Sequence, residues 1–373
     1  MNKSFYTRAE RYGLDVRFNL ADAHTHQGLN EKQHDRIRSR LPEIFDATSR
    51  AKQRDLEIST YDRFMELNGQ TVGKRSSPLV CYSASMAMEV IANHARSAGD
   101  KVVLVEPCFD NIPDILKRHG ISLTPISPDA YADPAQIVDV IEKSGANVLM
   151  LVLPNNPTGH IMGTDEFQYV CQQCESRGVT VWLDFCFRLY DSRLCTFDQY
   201  QILFESGVKF ISIEDTGKIW PSLDQKISFM LSSSGLHASL LSIHDDFLLN
   251  VSPFTLGIVS SFCEVSGDLA LRDFREIVAI NRHALQAWLA ESLPSWISYT
   301  PTSRISVEFG DIGAGAHDIG GVLDAADRAG VAVLPGDAFY WAGEAGSRQH
   351  LRFALARDNQ YLAEALRCLG QEL

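Results

Sequence analysis

The stretch Ile213-Glu-Asp-Thr-Gly-Lys-Ile-Trp-Pro-Ser-Leu-Asp-Gln-Lys226 decides how this sequence is interpreted. It starts at the end of an apolar run, residues 210–213, and places Lys218 shortly after that run closes. A lysine amine that follows a buried strand, two residues after a hydroxyl side chain, is a candidate nucleophile for Schiff-base formation with a carbonyl group. Lys218 is therefore the first candidate catalytic residue.

Two upstream segments supply the partners that such a lysine needs. Asn156 follows the apolar run 148–153, and Asp184 ends the apolar run 179–183. A carboxylate keeps the nitrogen of a pyridine ring protonated, so that the ring withdraws electrons, and an asparagine amide can donate to the O3′ of the same ring. Taken in order, Asn156, Asp184 and Lys218 predict a site for pyridoxal phosphate (PLP), with Asp184 and Lys218 as catalytic residues.

Further residues have the types that PLP and an amino-acid substrate require. A phosphate favours the N–H and hydroxyl groups where a strand gives way to a helix, and an α-carboxylate favours a guanidinium. Phe109 is placed to stack on the ring, the alternative being a core aromatic, and for Lys226 and Arg352 the alternative to a ligand is a surface cation. The predicted phosphate ligands are Ser83, Ala84, Ser85, Thr216 and Lys226, and Arg352 is predicted to bind the carboxylate.

Composition narrows the class of protein. The chain has 373 residues, 45% hydrophobic and 22% charged, with a net charge of -13. This charge argues against nucleic acid and anionic membranes as partners. No apolar run reaches membrane-spanning length and the first residues lack the apolar core of a signal peptide, so a cytoplasmic location is expected. Cys171 and Cys174 share one helical face and are interpreted as buried thiols, because no matching ligand pair suggests a metal.

The order of patterns predicts an α/β fold. From residue 78 onward, short apolar runs alternate with amphipathic helical patterns, which is typical of a mostly parallel sheet buried on both faces. The remainder is predicted to be a smaller α+β domain. The expected divisions are an N-terminal lid or small-domain segment at 1–45, a large PLP-binding domain at 46–272 and a C-terminal small domain at 273–373.

With these residues in place, the chain resembles the fold type I PLP enzymes of aminotransferase class I/II from about residue 78 to the end. It departs from the common aminotransferase pattern in two places, because Phe187 stands where a tyrosine is expected and Lys226 where an arginine is expected. A smaller group that shares these departures is the PLP- and oxygen-dependent L-arginine oxidases and hydroxylases of bacterial pathways to unusual amino acids and antibiotics. The resembling segments are residues 19–24, 81–85, 109–112, 155–159 and 213–226.

This resemblance implies further site residues. Glu10 and Asp215 match positions that hold the substrate guanidinium, and Thr7 matches a lesser contact. Asp22 and His24 match an N-terminal segment that covers the site, with Asp22 as a further substrate contact and His24 as an acid or base. His26 has no matched position and is expected to be a surface or structural residue.

The resemblance also implies the reaction. L-Arginine would be oxidised with dioxygen as co-substrate to 4-hydroxy-2-oxoarginine, with 2-oxoarginine as a by-product, releasing ammonia and hydrogen peroxide. Two alternatives stay open: an arginine aminotransferase of the same fold, for which Phe187 is awkward, and a PLP-binding homologue without catalysis. The fold implies a homodimer.

Overall fold

The structure is a computed structural model that describes residues 12–222, 225–267, 271–314, 318–343 and 349–373. Its strands are β1 Phe18–Asn19, β2 Leu79–Cys81, β3 Lys101–Val105, β4 Ser122–Ile126, β5 Val148–Val152, β6 Thr180–Asp184, β7 Phe210–Asp215, β8 Ser228–Ser232, β9 Ile297–Ser298, β10 Val307–Asp311, β11 Val331–Ala332, β12 Leu334–Pro335 and β13 His350–Ala354. Its α-helices are α1 Glu31–Thr48, α2 Gln53–Leu67, α3 Ala84–Ala98, α4 Asn111–Arg118, α5 Pro128–Tyr131, α6 Pro134–Ser144, α7 Thr164–Ser176, α8 Gln199–Ser206, α9 Ser234–Phe247, α10 Pro253–Val265, α11 Leu271–Ser292, α12 Ile319–Ala329 and α13 Asn359–Glu372.

A seven-stranded sheet in the order β2-β8-β7-β6-β5-β3-β4 forms the centre of the fold. Its neighbouring strands pair in parallel except at β8, which runs antiparallel to both β7 and β2. Strands β5 and β7 are buried at every position, because helices cover both faces of the sheet. The continuous apolar runs of the sequence correspond to these strands.

A smaller unit follows helix α11. Strands β12, β13, β10 and β9 form an antiparallel sheet in that order, and helices α12 and α13 pack against each other beside it. The predicted α/β class, a mostly parallel large sheet with a smaller α+β unit, is confirmed. The apolar run 331–334 contributes to two strands, since β11 pairs with β1 while β12 pairs with β13.

The N-terminal segment lies against this smaller unit. Strand β1 pairs in parallel with β11, with Phe18 opposite Val331. Helix α1 instead packs against α10, which precedes the smaller unit in the chain. The proposed domain divisions at residues 45 and 272 stay a prediction.

Helix α3 illustrates how local sequence sets an element beside the site. Ser83 caps its first turn, accepting a hydrogen bond from the N–H of Met86 at 3.2 Å, and Gly99 ends it with a positive φ of 71°. Ala87, Val90 and Ile91 are buried on its inner face. This packing fixes the start of the helix at the edge of the sheet.

The structure also bears on the predicted buried thiols and on the question of a membrane-spanning helix. Cys171 and Cys174 are buried on one face of α7, and burial raises the pKa of both thiols, that of Cys174 to about 12. Among the described residues, no helix is both long and apolar enough to cross a membrane.

Candidate active site

Four chain segments meet at one edge of the central sheet. Strands β5, β6 and β7 are parallel and end there, and β2 ends there too because both it and β7 run antiparallel to β8. This edge encloses a cavity of about 220 Å³. Ten predicted site residues line it: His24, Ser83, Ala84, Ser85, Phe109, Asn156, Asp184, Asp215, Lys218 and Lys226.

The backbone of Lys218 is held by two side chains that the sequence did not suggest. The carbonyl oxygen of Lys218 accepts hydrogen bonds from the hydroxyls of Tyr190, at 2.8 Å, and Thr25. These two hydroxyls also lie 2.9 Å apart. Thr25 belongs to the N-terminal segment and Tyr190 follows β6, so both anchor the lysine from outside its own strand.

His24 lies directly beside the amine of Lys218. Its Nε2 is 3.4 Å from Nζ of Lys218 and 3.1 Å from Nζ of Lys226, while its Nδ1 is 2.5 Å from Oδ1 of Asp22. Ammonium groups only donate hydrogen bonds, so this network assigns the proton to Nδ1 and the lone pair to Nε2. The charge of Lys218, together with burial, lowers the pKa of His24, and the hydrogen bond to Asp22 opposes that shift.

The start of helix α3 faces the same cavity. The N–H of Ala84 donates to Oδ2 of Asp215 at 3.3 Å, and the hydroxyl of Ser85 accepts from the side chain of Asn111 at 2.6 Å. Oδ1 of Asp215 accepts from the N–H of Gly217 at 2.7 Å. A Cβ on Gly217 would lie 2.6 Å from Cδ of Lys226, so glycine is what allows that lysine to approach the loop.

Asp184 and Phe187 form the floor of the cavity beside Lys218. Burial raises the pKa of Asp184, as does the charge of Asp215, although the N–H of Cys186 donates to its Oδ1 at 2.9 Å. The amine of Lys218 lies 5.9 Å from the centre of the Phe187 ring. A phenyl ring offers no hydroxyl at this position, so the sequence departure at Phe187 lies in the cavity lining that faces the amine.

Two buried arginines connect the N-terminal segment to the C-terminal part of the chain. Arg352 donates to Oδ1 of Asn156 at 3.1 Å and to the carbonyl of Ala21 at 2.6 Å. Arg357 donates to the carbonyls of three residues of this segment, Asn19, Asp22 and His24. The segment that carries Asp22 and His24 is therefore held over the cavity by guanidinium groups, a link over more than 300 residues that no local pattern indicates.

The remaining predicted residues divide into two groups. The hydroxyl of Thr216 bonds the backbone carbonyl and N–H of Ile227, both at 2.9 Å, and does not line the cavity. Its predicted contact with phosphate stays a prediction. Thr7 and Glu10 lie outside the described residues. No group of three or more metal-ligating side chains is present in the described parts of the chain.

The residues at the cavity fit PLP. Asp184 is a carboxylate in the cavity lining whose pKa is raised by burial, and a protonated ring nitrogen would give it a positively charged hydrogen-bond partner. The side-chain oxygen of Asn156 is engaged by Arg352, which leaves its amide N–H groups as donors for a ring oxygen. The start of α3 and Lys226 supply N–H, hydroxyl and ammonium donors for a phosphate.

A family model described as aminotransferase class I and II matches residues 57–369. The chain belongs to this family. It is therefore an enzyme of the PLP aminotransferase fold, and the family implies pyridoxal phosphate as the cofactor. Among curated members, the chain is 22% identical over 315 residues to a probable aspartate/prephenate aminotransferase of Aquifex aeolicus, covering 80% of this chain and 76% of the relative.

Solved structures give a finer comparison within this family. The structure of MppP soaked with the product 2-ketoarginine has a TM-score of 0.86 and 30% identity, and the match covers 94% of this chain and 98% of MppP. Aspartate aminotransferase from Thermus thermophilus with maleate has a TM-score of 0.79 at 17% identity, covering 99% of this chain and 96% of that one. At that identity the second likeness supports the fold alone.

Proposed function

We propose that this protein is a PLP-dependent, oxygen-consuming enzyme that oxidises L-arginine to 4-hydroxy-2-oxoarginine, with 2-oxoarginine as a by-product. The observation that carries the proposal is the 30% identity, over 94% of the chain, to MppP, whose structure was soaked with the product 2-ketoarginine. A keto acid derived from arginine as product suggests arginine as the substrate class. This identity extends over nearly the whole chain and so does not depend on any single residue.

The chemistry of the cavity is compatible with a substrate that is anionic at one end and cationic at the other. Arg352 is proposed to bind the α-carboxylate; it is fully buried next to the cavity lining, where it donates to Asn156. Asp215 is buried and lines the cavity. Each of its oxygens accepts one backbone N–H, and a carboxylate oxygen accepts more than one hydrogen bond, so Asp215 can also bind a guanidinium. Glu10 and Thr7 are proposed as further contacts to that group.

The proposed roles of the chain's own residues follow from their positions. When bound, PLP supplies the electron sink for the carbanion formed at the substrate Cα. Lys218 removes the Cα proton with Nζ, and His24, 3.4 Å away, receives or returns protons at Nε2 and orients the water that adds at Cγ. Asp22 holds the imidazole of His24, and the segment from Asn19 to His26 excludes bulk water.

Dioxygen is the proposed electron acceptor. One dioxygen and one water per arginine give 2-oxoarginine, ammonia and one hydrogen peroxide. The hydroxylated product requires two dioxygen and two water molecules and releases two hydrogen peroxide, with the hydroxyl oxygen derived from water. Phe187 supports this route over transamination, because the common aminotransferase pattern places a hydroxyl where Phe187 has none.

An arginine aminotransferase is the second candidate. It is favoured by the curated relatives, which are named as aminotransferases. The two candidates differ in what accepts the electrons, since an aminotransferase needs a 2-oxo acid and leaves dissolved oxygen unchanged. The remaining alternative from the sequence, a PLP-binding homologue without catalysis, is not proposed, because the chain belongs to a family of enzymes.

The test mixes PLP-loaded protein with L-arginine and no 2-oxo acid, and follows dissolved oxygen, the visible spectrum and the products by mass spectrometry. L-Norleucine, which lacks the guanidinium, is the matched control substrate. Oxygen uptake with both arginine-derived products supports the proposal. Turnover that begins only after addition of pyruvate or 2-oxoglutarate would sink it.

His24 can be tested in the same assay. Replacing His24 with alanine is expected to abolish the 4-hydroxylated product while 2-oxoarginine is still formed, because the acid/base group for the added water is lost. Full yield of hydroxylated product from this variant would contradict the role given to His24.

A further inference from the structure

The carboxylate of Asp22 is bound by two imidazoles. Nδ1 of His24 lies 2.5 Å from Oδ1, and Nε2 of His26 lies 2.9 Å from Oδ2. The backbone N–H of His24 also donates to Oδ1, at 2.9 Å. Both carboxylate oxygens are therefore engaged, one on the side of the cavity and one on the side of the solvent.

The two imidazoles stand in different surroundings. His24 presents Nε2 to the amines of Lys218 and Lys226, whereas the His26 side chain is 39% exposed. The side chain of Asp22 between them is only 10% exposed. A continuous hydrogen-bonded chain thus leads from the surface at His26 through Asp22 and His24 to Lys218.

We propose that His26 is a positioning residue that acts through Asp22. By occupying Oδ2 it fixes the orientation of the carboxylate and limits how strongly Oδ1 attracts the proton of His24. This sets how readily Nε2 of His24 takes up a proton. The inference deepens the proposed function and rests on it only for the part that His24 plays in turnover.

Asp22 acts in this arrangement as a fixed charge and not as a proton carrier. Burial by itself would raise the pKa of Asp22, but hydrogen bonds from His24 and His26, with the charges of His24 and Lys218, outweigh it and hold that pKa well below its usual value. When two donors bind the same ionised carboxylate, each hydrogen bond is weaker than it would be alone. Removing one donor therefore strengthens the bond to the other.

The remaining charged neighbours of His24 and Asp22 lie on other elements. Lys218 and Lys226 face His24 from the loop after β7, and Arg357 donates to the carbonyls of Asp22 and His24 from the segment after β13. Lys226 and Arg357 are cations that disfavour a second proton on His24, as is Lys218 while its amine is not bonded to the cofactor, and Asp22 is the anion that favours it. The backbone N–H of His26 donates to the carbonyl of Ala356 at 3.0 Å, so the loop keeps this anchor when the His26 side chain is replaced.

The experiment compares His26→Gln, which keeps a neutral N–H donor, with His26→Leu and His26→Ala, which do not. The imidazole of His24 is titrated by NMR in PLP-loaded protein with isotope-labelled histidine, and assigned with His24→Ala. We expect His26→Leu and His26→Ala to raise the pKa of His24 by about 0.5–1 unit, because Asp22 becomes a stronger acceptor for the His24 proton. The His26→Gln variant should keep the value of the unsubstituted protein.

Turnover supplies an independent readout. In the pH profile of kcat for hydroxylated product, one limb is assigned to the ionisation of His24. This limb is expected to shift by the same amount in the His26→Leu variant, while the KM for L-arginine stays unchanged. Substituting His26 in a His24→Ala background should have no further effect on kcat for 2-oxoarginine, the product that this background still forms. The proposal is overturned if His24 titrates identically in the Gln and Leu variants, or if the His26 change lowers kcat equally without His24. Since the titration requires no turnover, its outcome is independent of whether the protein oxidises arginine.

Discussion

Replacing Arg357 with methionine is expected to release the segment that covers the cavity. Arg357 is 1% exposed and donates to the carbonyls of Asn19 at 2.6 Å and His24 at 2.8 Å, as well as to that of Asp22. Burial lowers the pKa of its guanidinium to about 10, so the group is still charged at neutral pH. Methionine fills much of the same volume but donates nothing.

The size of the effect follows from these three bonds. A hydrogen bond to a charged group contributes about 1.5–3 kcal/mol, and bonds that share one side chain do not add fully. We therefore expect the free energy of local opening of residues 18–26 to fall by about 3–5 kcal/mol. At 1.4 kcal/mol per factor of ten, this accelerates amide exchange by about 10² to 4 × 10³.

Hydrogen–deuterium exchange measures this directly. The reporting amides are those of Leu20, which donates to Ala332, and His26, which donates to Ala356. Arg328→Met is the matched control, because Arg328 pairs with Glu372 on the surface at 55% exposure, where an ion pair contributes at most about 1 kcal/mol. Arg357→Lys should be intermediate, since an ammonium keeps the charge but not the planar fork. Unchanged exchange at residues 18–26 in Arg357→Met would refute this account of the segment.

Three further substitutions test other parts of the site. Lys218→Ala is expected to abolish turnover, because the amine proposed to bond to PLP and to remove the Cα proton is lost, while PLP still binds non-covalently; detectable multiple turnover would contradict this. Asp215→Asn should raise the KM for L-arginine by about 10- to 150-fold, the scale of 1.5–3 kcal/mol for a charged hydrogen bond, with the KM for L-norleucine little changed; equal changes for both would mean that Asp215 does not bind the guanidinium. Burial outweighs the Arg188 ion pair and raises the pKa of Glu214 from 4.5 to about 7, so the native state holds a proton that the unfolded state releases between those values. As the pH rises from 4.5 to 7, the free energy of unfolding of the unsubstituted protein should therefore fall by about 3 kcal/mol relative to that of Glu214→Gln, as measured by urea titration. Parallel pH profiles of the two proteins would show that Glu214 is already ionised.

The central sheet was predictable because its strands are buried on both faces. Residues 148–153 form a continuous apolar run and residues 210–213 one interrupted only by Ser212, and each is followed by the polar residues that meet at the sheet edge. Order along the chain then suffices to bring Asn156, Asp184 and Lys218 together, since carboxyl ends of parallel strands share one edge. The local pattern alone carries this part of the site.

The connections between distant segments were not predictable in the same way. Arg357 bonds carbonyls more than 330 residues earlier, and a backbone carbonyl leaves no trace in the residue types. Thr216 was predicted as a phosphate ligand from its spacing to Lys218, but spacing does not reveal that its hydroxyl bonds Ile227. His26 has no matched position in the family that the chain resembles, and only the structure places it on Asp22.

The most direct test of the proposed function is the oxygen balance with L-arginine alone. PLP-loaded protein and L-arginine are placed in a sealed oxygen electrode without any 2-oxo acid, catalase is added, and the keto-acid products are quantified. Oxygen should fall on addition of arginine, and catalase should return half of the oxygen consumed, because all of it is reduced to hydrogen peroxide. Keto-acid formation without oxygen consumption, or none until a 2-oxo acid is supplied, would contradict the account.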